Sequence, residues 1–290
     1  MSRLFAVYAA ISGAALLFPH RPGGWPLLLA VHLLVVMLGF AWGPAATAAA
    51  TLAGRWPRAW EVLRDWYPLL LIPALYKELA LLNVAVFDGR YFDPAILRVE
   101  EAVFGQPSQE LARALPYLPL SELLHASYLS YYLIIYGPPL LLYLTGRRAD
   151  FRRVTFAVML TFFVHYIFFV YFPVQGPRYL FAAPGGVISE GPMYRLAHRV
   201  LEAGSSRGAA FPSSHVGVSV AQAVMVARFL PALAPWVGAL AVLLALGAVY
   251  GGFHYATDAS AGFLLGLAAA LAAPAAKRLL LRLPAGGTER

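Results

Sequence analysis

The chain of 290 residues contains no cysteine, which excludes disulfides, thiolate metal sites and cysteine nucleophiles. Charge is scarce as well: 12% of the residues are Asp, Glu, Lys or Arg, about half of what soluble domains of this size carry. Several stretches of roughly 17 or more residues have no charge at all, which is the length needed to cross the core of a bilayer. Apolar residues fill them, making 60% of the chain hydrophobic. Six tryptophans (Trp25, Trp42, Trp56, Trp60, Trp66 and Trp236) lie near the ends of the apolar runs, where interfacial aromatic rings belong. This is the composition of a membrane protein. No internal repeat or low-complexity tract is present beyond the Ala/Leu-rich runs.

The runs predict an all-α, polytopic membrane bundle of about eight spans, near 4–19, 27–53, 66–87, 121–145, 154–172, 212–231, 233–251 and 257–276. The first run ends at Phe18-Pro19 and is followed by His20-Arg21-Pro22, not by the small residues of a signal-peptide cleavage site, so it is read as a span. Counting Lys and Arg on alternate sides gives the orientation. Arg3, Arg55, Arg58, Arg64, Arg147, Arg148, Arg152, Arg153, Arg228, Lys277, Arg278, Arg282 and Arg290 gather on one side, against only Glu61, Asp65, Asp150 and Glu289. That side is expected to be cytoplasmic. The same asymmetry accounts for the net charge of +8 without a nucleic-acid partner. Residues 94–118, with a helix start at Ser108, and residues 191–202 keep an apolar stripe but are too polar to span, so both are expected as amphipathic interfacial helices on the outer side. The chain reads as one membrane domain, 1–290.

Three polar segments fall on that outer side: Phe172 to Tyr179, Phe211 to His215, and His254 to Asp258. Pro212 suits a first helical turn, which would put Ser213, Ser214 and His215 where free N–H groups and the helix dipole favour an anion. Ser213 adds a hydroxyl, and Arg178 a forked cation matched to phosphate oxygens. His254 and Asp258, four residues apart, would share one helix face, with the carboxylate holding one ring nitrogen and leaving the other free to attack. Together these supply a nucleophile, its orienting acid, a second histidine and an anion hole, the parts that phosphoryl transfer needs.

At these residues the chain resembles the type 2 phosphatidic acid phosphatase superfamily, whose pattern is an Arg segment, then Pro-Ser-x-His, then His-x3-Asp. Here these are Arg178, Pro212 to His215, and His254 to Asp258. The Pro-rich approach from Phe172 to Arg178 is similar to the branch that includes inositol phosphorylceramide synthases. The resemblance implies a catalytic core over 120–276, with 1–119 flanking it. It implies His254 as nucleophile, Asp258 as its partner and His215 as the acid and base at the oxygen. Arg178, Ser213 and Ser214 would hold the phosphate, with no metal ion and no cofactor. Where soluble-type members carry a Lys and a Ser-Arg pair, this chain has Tyr171 and Gly247-Ala248, and Ser214 replaces the commoner Gly.

The expected substrate is a membrane lipid phosphate, cleaved on the extracytoplasmic face, as in a bacterial inner membrane with the site toward the periplasm. Release to water makes the protein a lipid phosphatase, and release to an alcohol makes it a head-group phosphotransferase. A polyprenyl diphosphate is a further candidate substrate. Gln175 and Tyr179 flank the arginine, and Lys77 and Glu78 lie near the middle of the third span; all four are candidate substrate contacts. His125 and His165 have no partner at a telling spacing and are read as packing residues. A lipid transporter would want a second intramembrane charged pair to match Lys77-Glu78, and none occurs; a serine protease would want a Gly-x-Ser-x-Gly elbow, which is absent around Ser213 and Ser214. Oligomeric state is not encoded in any feature of the sequence.

Overall fold

The computed structural model describes residues 1–40, 54 and 57–283. In chain order the helices are α1 (Ser2–Gly13), α2 (Trp25–Phe40), α3 (Pro57–Leu70), α4 (Ile72–Phe87), α5 (Asp93–Phe104), α6 (Pro107–Ala114), α7 (Leu118–Leu129), α8 (Tyr131–Leu144), α9 (Arg148–Tyr171), α10 (Pro177–Leu180), α11 (Pro192–Gly204), α12 (Ser214–Phe229), α13 (Ala234–Tyr250) and α14 (Ala256–Arg282). Among the described residues there is no strand, only one isolated parallel bridge between Val174 and Ala209. The all-α expectation holds.

Among the described residues, four stretches are long and apolar enough to cross a membrane: Arg58–Phe87, Arg148–Tyr171, Pro231–Tyr250 and Ala256–Arg282. Ser2–Leu17, Trp25–Leu38 and Tyr131–Leu144 are apolar but shorter, so helix length alone does not yield eight spans. The expected span 66–87 starts a good two turns earlier, and α3 runs into α4 through Leu71, with Pro68 and Pro73 on either side of the joint. The expected span 121–145 divides at Ser130, whose hydroxyl donates to the Ser127 carbonyl at 2.6 Å. The second half of the span 27–53, together with Trp42, Arg55, Trp56, Glu289 and Arg290, lies outside the described residues. The region 94–118 forms two helices, because Gly105 and Gln106 both take left-handed backbone angles (φ of 71° and 63°) that end one helix before Pro107 starts the next.

The centre of the bundle is α9, packed against α4, α8, α12 and α14. Phe162, Phe163, Tyr166 and Phe169 on α9 are buried in this core, and Tyr8 stacks on Phe163 at 4.3 Å between ring centres. Pro138 and Pro139 in α8 cannot donate to the carbonyls one turn back, those of Ile134 and Ile135. Buried Gln222 on α12 supplies the missing partner, its amide donating to both carbonyls at 3.0 and 3.5 Å. In a membrane interior such a substitute is close to obligatory.

Helices α12 and α14 approach each other closely. A Cβ on Gly262 would collide with the Ser213 carbonyl, and one on Gly266 with that of Gly217. Small residues at this four-residue spacing let two helices pack backbone against backbone, and here they join the helix carrying His215 to the one carrying Asp258.

Candidate active site

His215 and Asp258 both lie in the first turn of a long helix, and His254 precedes its helix by two residues. Ser213 is the N-cap of α12 and not part of its first turn, which corrects the expectation built on Pro212. Its hydroxyl oxygen accepts from Val216 N at 3.4 Å, and its own N–H donates to the Asp258 carbonyl at 2.9 Å. Ser213 and Ser214 are both buried, and Ser214 follows the cap in the opening turn.

His254 and Asp258 meet, though not as two positions on one helix face, because the helix begins only at Ala256. His254 Nδ1 is 3.5 Å from Asp258 Oδ2, and the carboxylate also accepts Tyr255 N at 2.9 Å as part of a capping box. The two groups are in close contact without a formed hydrogen bond between them. Asp258 is completely buried.

The His215 and His254 rings lie 5.6 Å apart at 56°. Tyr128 stacks on His215 at 5.0 Å and Tyr131 tilts over it at 4.3 Å, so the imidazole is fixed by aromatic walls that the sequence reading did not single out. Arg178, in the one-turn helix α10, joins the two histidines around a cavity of about 30 Å³, with Gln175, Tyr179 and Phe253 also in its wall. Arg178 Nη1 is buried without a partner, a costly state for a charged donor unless an anion completes it.

The other expected residues are placed as follows. The Tyr179 ring lies 5.1 Å from the Arg178 guanidinium and 5.2 Å from that of Arg207, and its hydroxyl is 2.8 Å from Ser205 Oγ. Gln175 contributes its N–H to Asp93 at 2.9 Å. Lys77 donates to the Ala203 carbonyl at 3.1 Å and lines an apolar groove of about 190 Å³ that reaches His215. Glu78 points elsewhere: it accepts from the Tyr8 hydroxyl at 3.3 Å and faces His32, away from the cavity. His125 bonds the Ser121 carbonyl and His165 the Thr161 carbonyl, each at 2.7 Å, as packing residues do.

Three carboxylates that sequence reasoning missed hold the site together. Asp93 accepts the N–H groups of Gln175 and Gly176, each at 2.9 Å. Glu100 accepts those of Ala256 and Thr257 at 2.9 and 2.8 Å, and the Thr257 hydroxyl at 2.7 Å. Glu122 takes the N–H of Met193 at 3.0 Å and that of Tyr194 at 3.1 Å. Each carboxylate thus fixes a pair of otherwise free donors, two of the pairs at helix N-termini. Asp93, Ile96 and Glu100 follow helical spacing on one buried face. That spacing was the available signal, and reading the segment for its apolar stripe alone concealed it.

A sequence model of the PAP2 superfamily matches residues 94–272, which take in all three motif segments. The chain belongs to the PAP2 superfamily. The match names no branch within it, and membership supports a membrane enzyme of phosphatase type. No curated protein and no solved structure matches the chain.

Proposed function

We propose that the protein cleaves a phosphate ester of a membrane lipid through a covalent phosphohistidine at His254. One observation carries this: Arg178, His215 and His254, from three separate segments, share one small cavity, with buried Asp258 behind the His254 ring. Asp258 facing Nδ1 favours the proton there, which leaves Nε2 as the attacking nitrogen. Nε2 bonds phosphorus as the ester P–O bond breaks, and protonated His215 donates its proton to the leaving oxygen. A bound phosphate favours that protonated form by its own charge. In the second step His215 takes a proton from water or an alcohol, the new P–O bond forms, and the P–N bond breaks.

Arg178, the Ser213 hydroxyl proton and the N–H groups of Ser214 and His215 at the start of α12 serve the phosphoryl oxygens. The apolar groove beside His215 gives the lipid chain a route in from the bilayer, with Lys77 at its wall. The excess of Lys and Arg assigned to the opposite side of the membrane supports an extracytoplasmic face for the cavity. No step uses a metal ion. The test is phosphate release from phosphatidic acid and from a polyprenyl diphosphate in EDTA, for wild type and His254→Ala. Turnover in EDTA that disappears in the variant supports the reading; turnover that needs a metal or survives the substitution overturns it.

A further inference from the structure

A cavity of about 610 Å³ lies at the end of the bundle opposite the catalytic site, between α1, α3, α9 and α14. Phe151, Arg152 and Thr155 in its wall belong to the opening turns of α9, whose far end leads into the Arg178 segment. Lys277, also in its wall, stands roughly five turns, about 28 Å, along α14 from Asp258.

The wall is apolar at Trp60, Leu63, Pro68, Phe151 and Phe156, and cationic at Arg64, Arg152 and Lys277, with Arg148 beside them. Among the described residues Asp65 is the one carboxylate paired with any of these four cations. Arg152 Nε lies 3.1 Å from it, Arg148 Nη1 3.7 Å and Arg64 Nε 4.0 Å. The arginines therefore keep two positive charges beyond what Asp65 neutralises, and Lys277 adds a third. Thr155 is 1% exposed, and its hydroxyl has no partner. A helical Thr commonly bonds the carbonyl one turn back, as Thr161 does on this same helix. A buried donor left unpaired costs stability until a ligand pairs with it. A phosphate answers both deficits, its charge meeting the cations and its oxygens accepting from the arginine forks and from Thr155. The apolar wall suits the first part of a lipid chain, and the Trp60 ring suits head-group depth.

We propose that this cavity binds an anionic phospholipid of the leaflet opposite the catalytic cavity, its phosphate held by Arg64, Arg152, Lys277 and the Thr155 hydroxyl. A free phosphate meets the same cations but leaves Trp60, Leu63 and Phe156 facing water. The lipid here is a bound ligand and not a substrate, since no histidine lines the cavity, and the site is independent of the chemistry at His254. By offsetting the excess charge it ties α3, α9 and α14 together at this end of the bundle.

The experiment follows thermal unfolding of the full chain in a neutral detergent, titrated with phosphatidylglycerol, phosphatidylcholine or inorganic phosphate at constant ionic strength. Phosphatidylglycerol is expected to raise the midpoint in a saturable way that phosphatidylcholine does not reproduce. Lys277→Gln should raise the half-saturating concentration of phosphatidylglycerol about fivefold. Thr155→Val keeps the shape of the side chain and removes the unpaired hydroxyl. It should weaken the lipid by a similar factor while leaving the lipid-free midpoint no lower than in wild type. Arg278→Gln takes a cation from the same end of α14 but not from the cavity wall, and should leave the titration unchanged. A titration unaffected by both Lys277→Gln and Thr155→Val overturns the proposal. An Arg278→Gln effect equal to that of Lys277→Gln also overturns it, because the attraction is then diffuse. Inorganic phosphate that reproduces the Lys277-dependent part of the shift does the same, and assigns the cavity to a soluble anion.

Discussion

Asp93 and Glu100 stand two turns apart on one face of α5 and grip different halves of the site: Asp93 the strand of chain leading to Arg178, Glu100 the first turn that carries Asp258. Neither carboxylate lines the catalytic cavity. Both act by fixing where the reacting groups stand, and misplacement by about 1 Å can cost about a hundredfold in rate.

Asp93→Ala and Glu100→Ala are therefore expected to lower kcat by about a hundredfold. Each also leaves two N–H groups unpaired, a loss of about 2–4 kcal/mol in stability. Glu100→Gln keeps one acceptor and should fall between. Kinetics and detergent unfolding on the same samples check this; wild-type kcat in both alanine variants would remove α5 from the account.

The close approach of α12 and α14 makes a second expectation. Gly266→Ala forces a methyl group onto the Gly217 carbonyl, at about 1–3 kcal/mol, and shifts His215 away from Asp258. Activity should drop along with stability. Gly238→Ala on α13 meets nothing within 4 Å and serves as the control that lowers neither.

Gln222→Leu leaves the Ile134 and Ile135 carbonyls unpaired in the bundle and should cost about 1–3 kcal/mol. In a Pro138→Ala, Pro139→Ala background the helix can bond those carbonyls itself, so the same substitution should cost less. A double-mutant cycle on unfolding midpoints measures the coupling, and strict additivity would contradict it.

His198 gives a pH dependence of definite sign. Its pKa is lowered from 6.5 to about 4, chiefly by burial, so between those values the unfolded chain binds a proton that the folded chain refuses. Its contribution is present above pH 6.5 and is lost as the pH falls toward 4. The unfolding midpoint of His198→Phe should therefore decline less than wild type between about pH 7 and 5. An equal decline would show that the ring is not buried as described.

Much of this was legible in the sequence. The motif segments, the helical class and the polar helical character of 94–118 and 191–202 follow from apolar run length and residue spacing, though 94–118 is two helices and not one, and His254 does reach Asp258. The reason it does so was not legible: an N-cap at Tyr255 brings them together, not a shared helix face. Ser213 was read inside the helix because Pro212 favours a first turn, yet tertiary packing under α14 makes Ser213 the cap. Glu78 was a plausible substrate contact by depth alone, and only the packing of α1 and α2 shows what it faces. The supports from Asp93, Glu100 and Glu122 bind backbone N–H groups far away in sequence; the spacing of Asp93 and Glu100 marks their buried face, but no residue pattern names the partners.

The central claim is the covalent bond to His254, and rapid quench with phosphate-labelled phosphatidic acid in EDTA tests it most directly. The account predicts label transiently bound to the wild-type chain, labile to acid and stable to base, and absent from His254→Ala. Labelling or turnover in His254→Ala equal to wild type would contradict it.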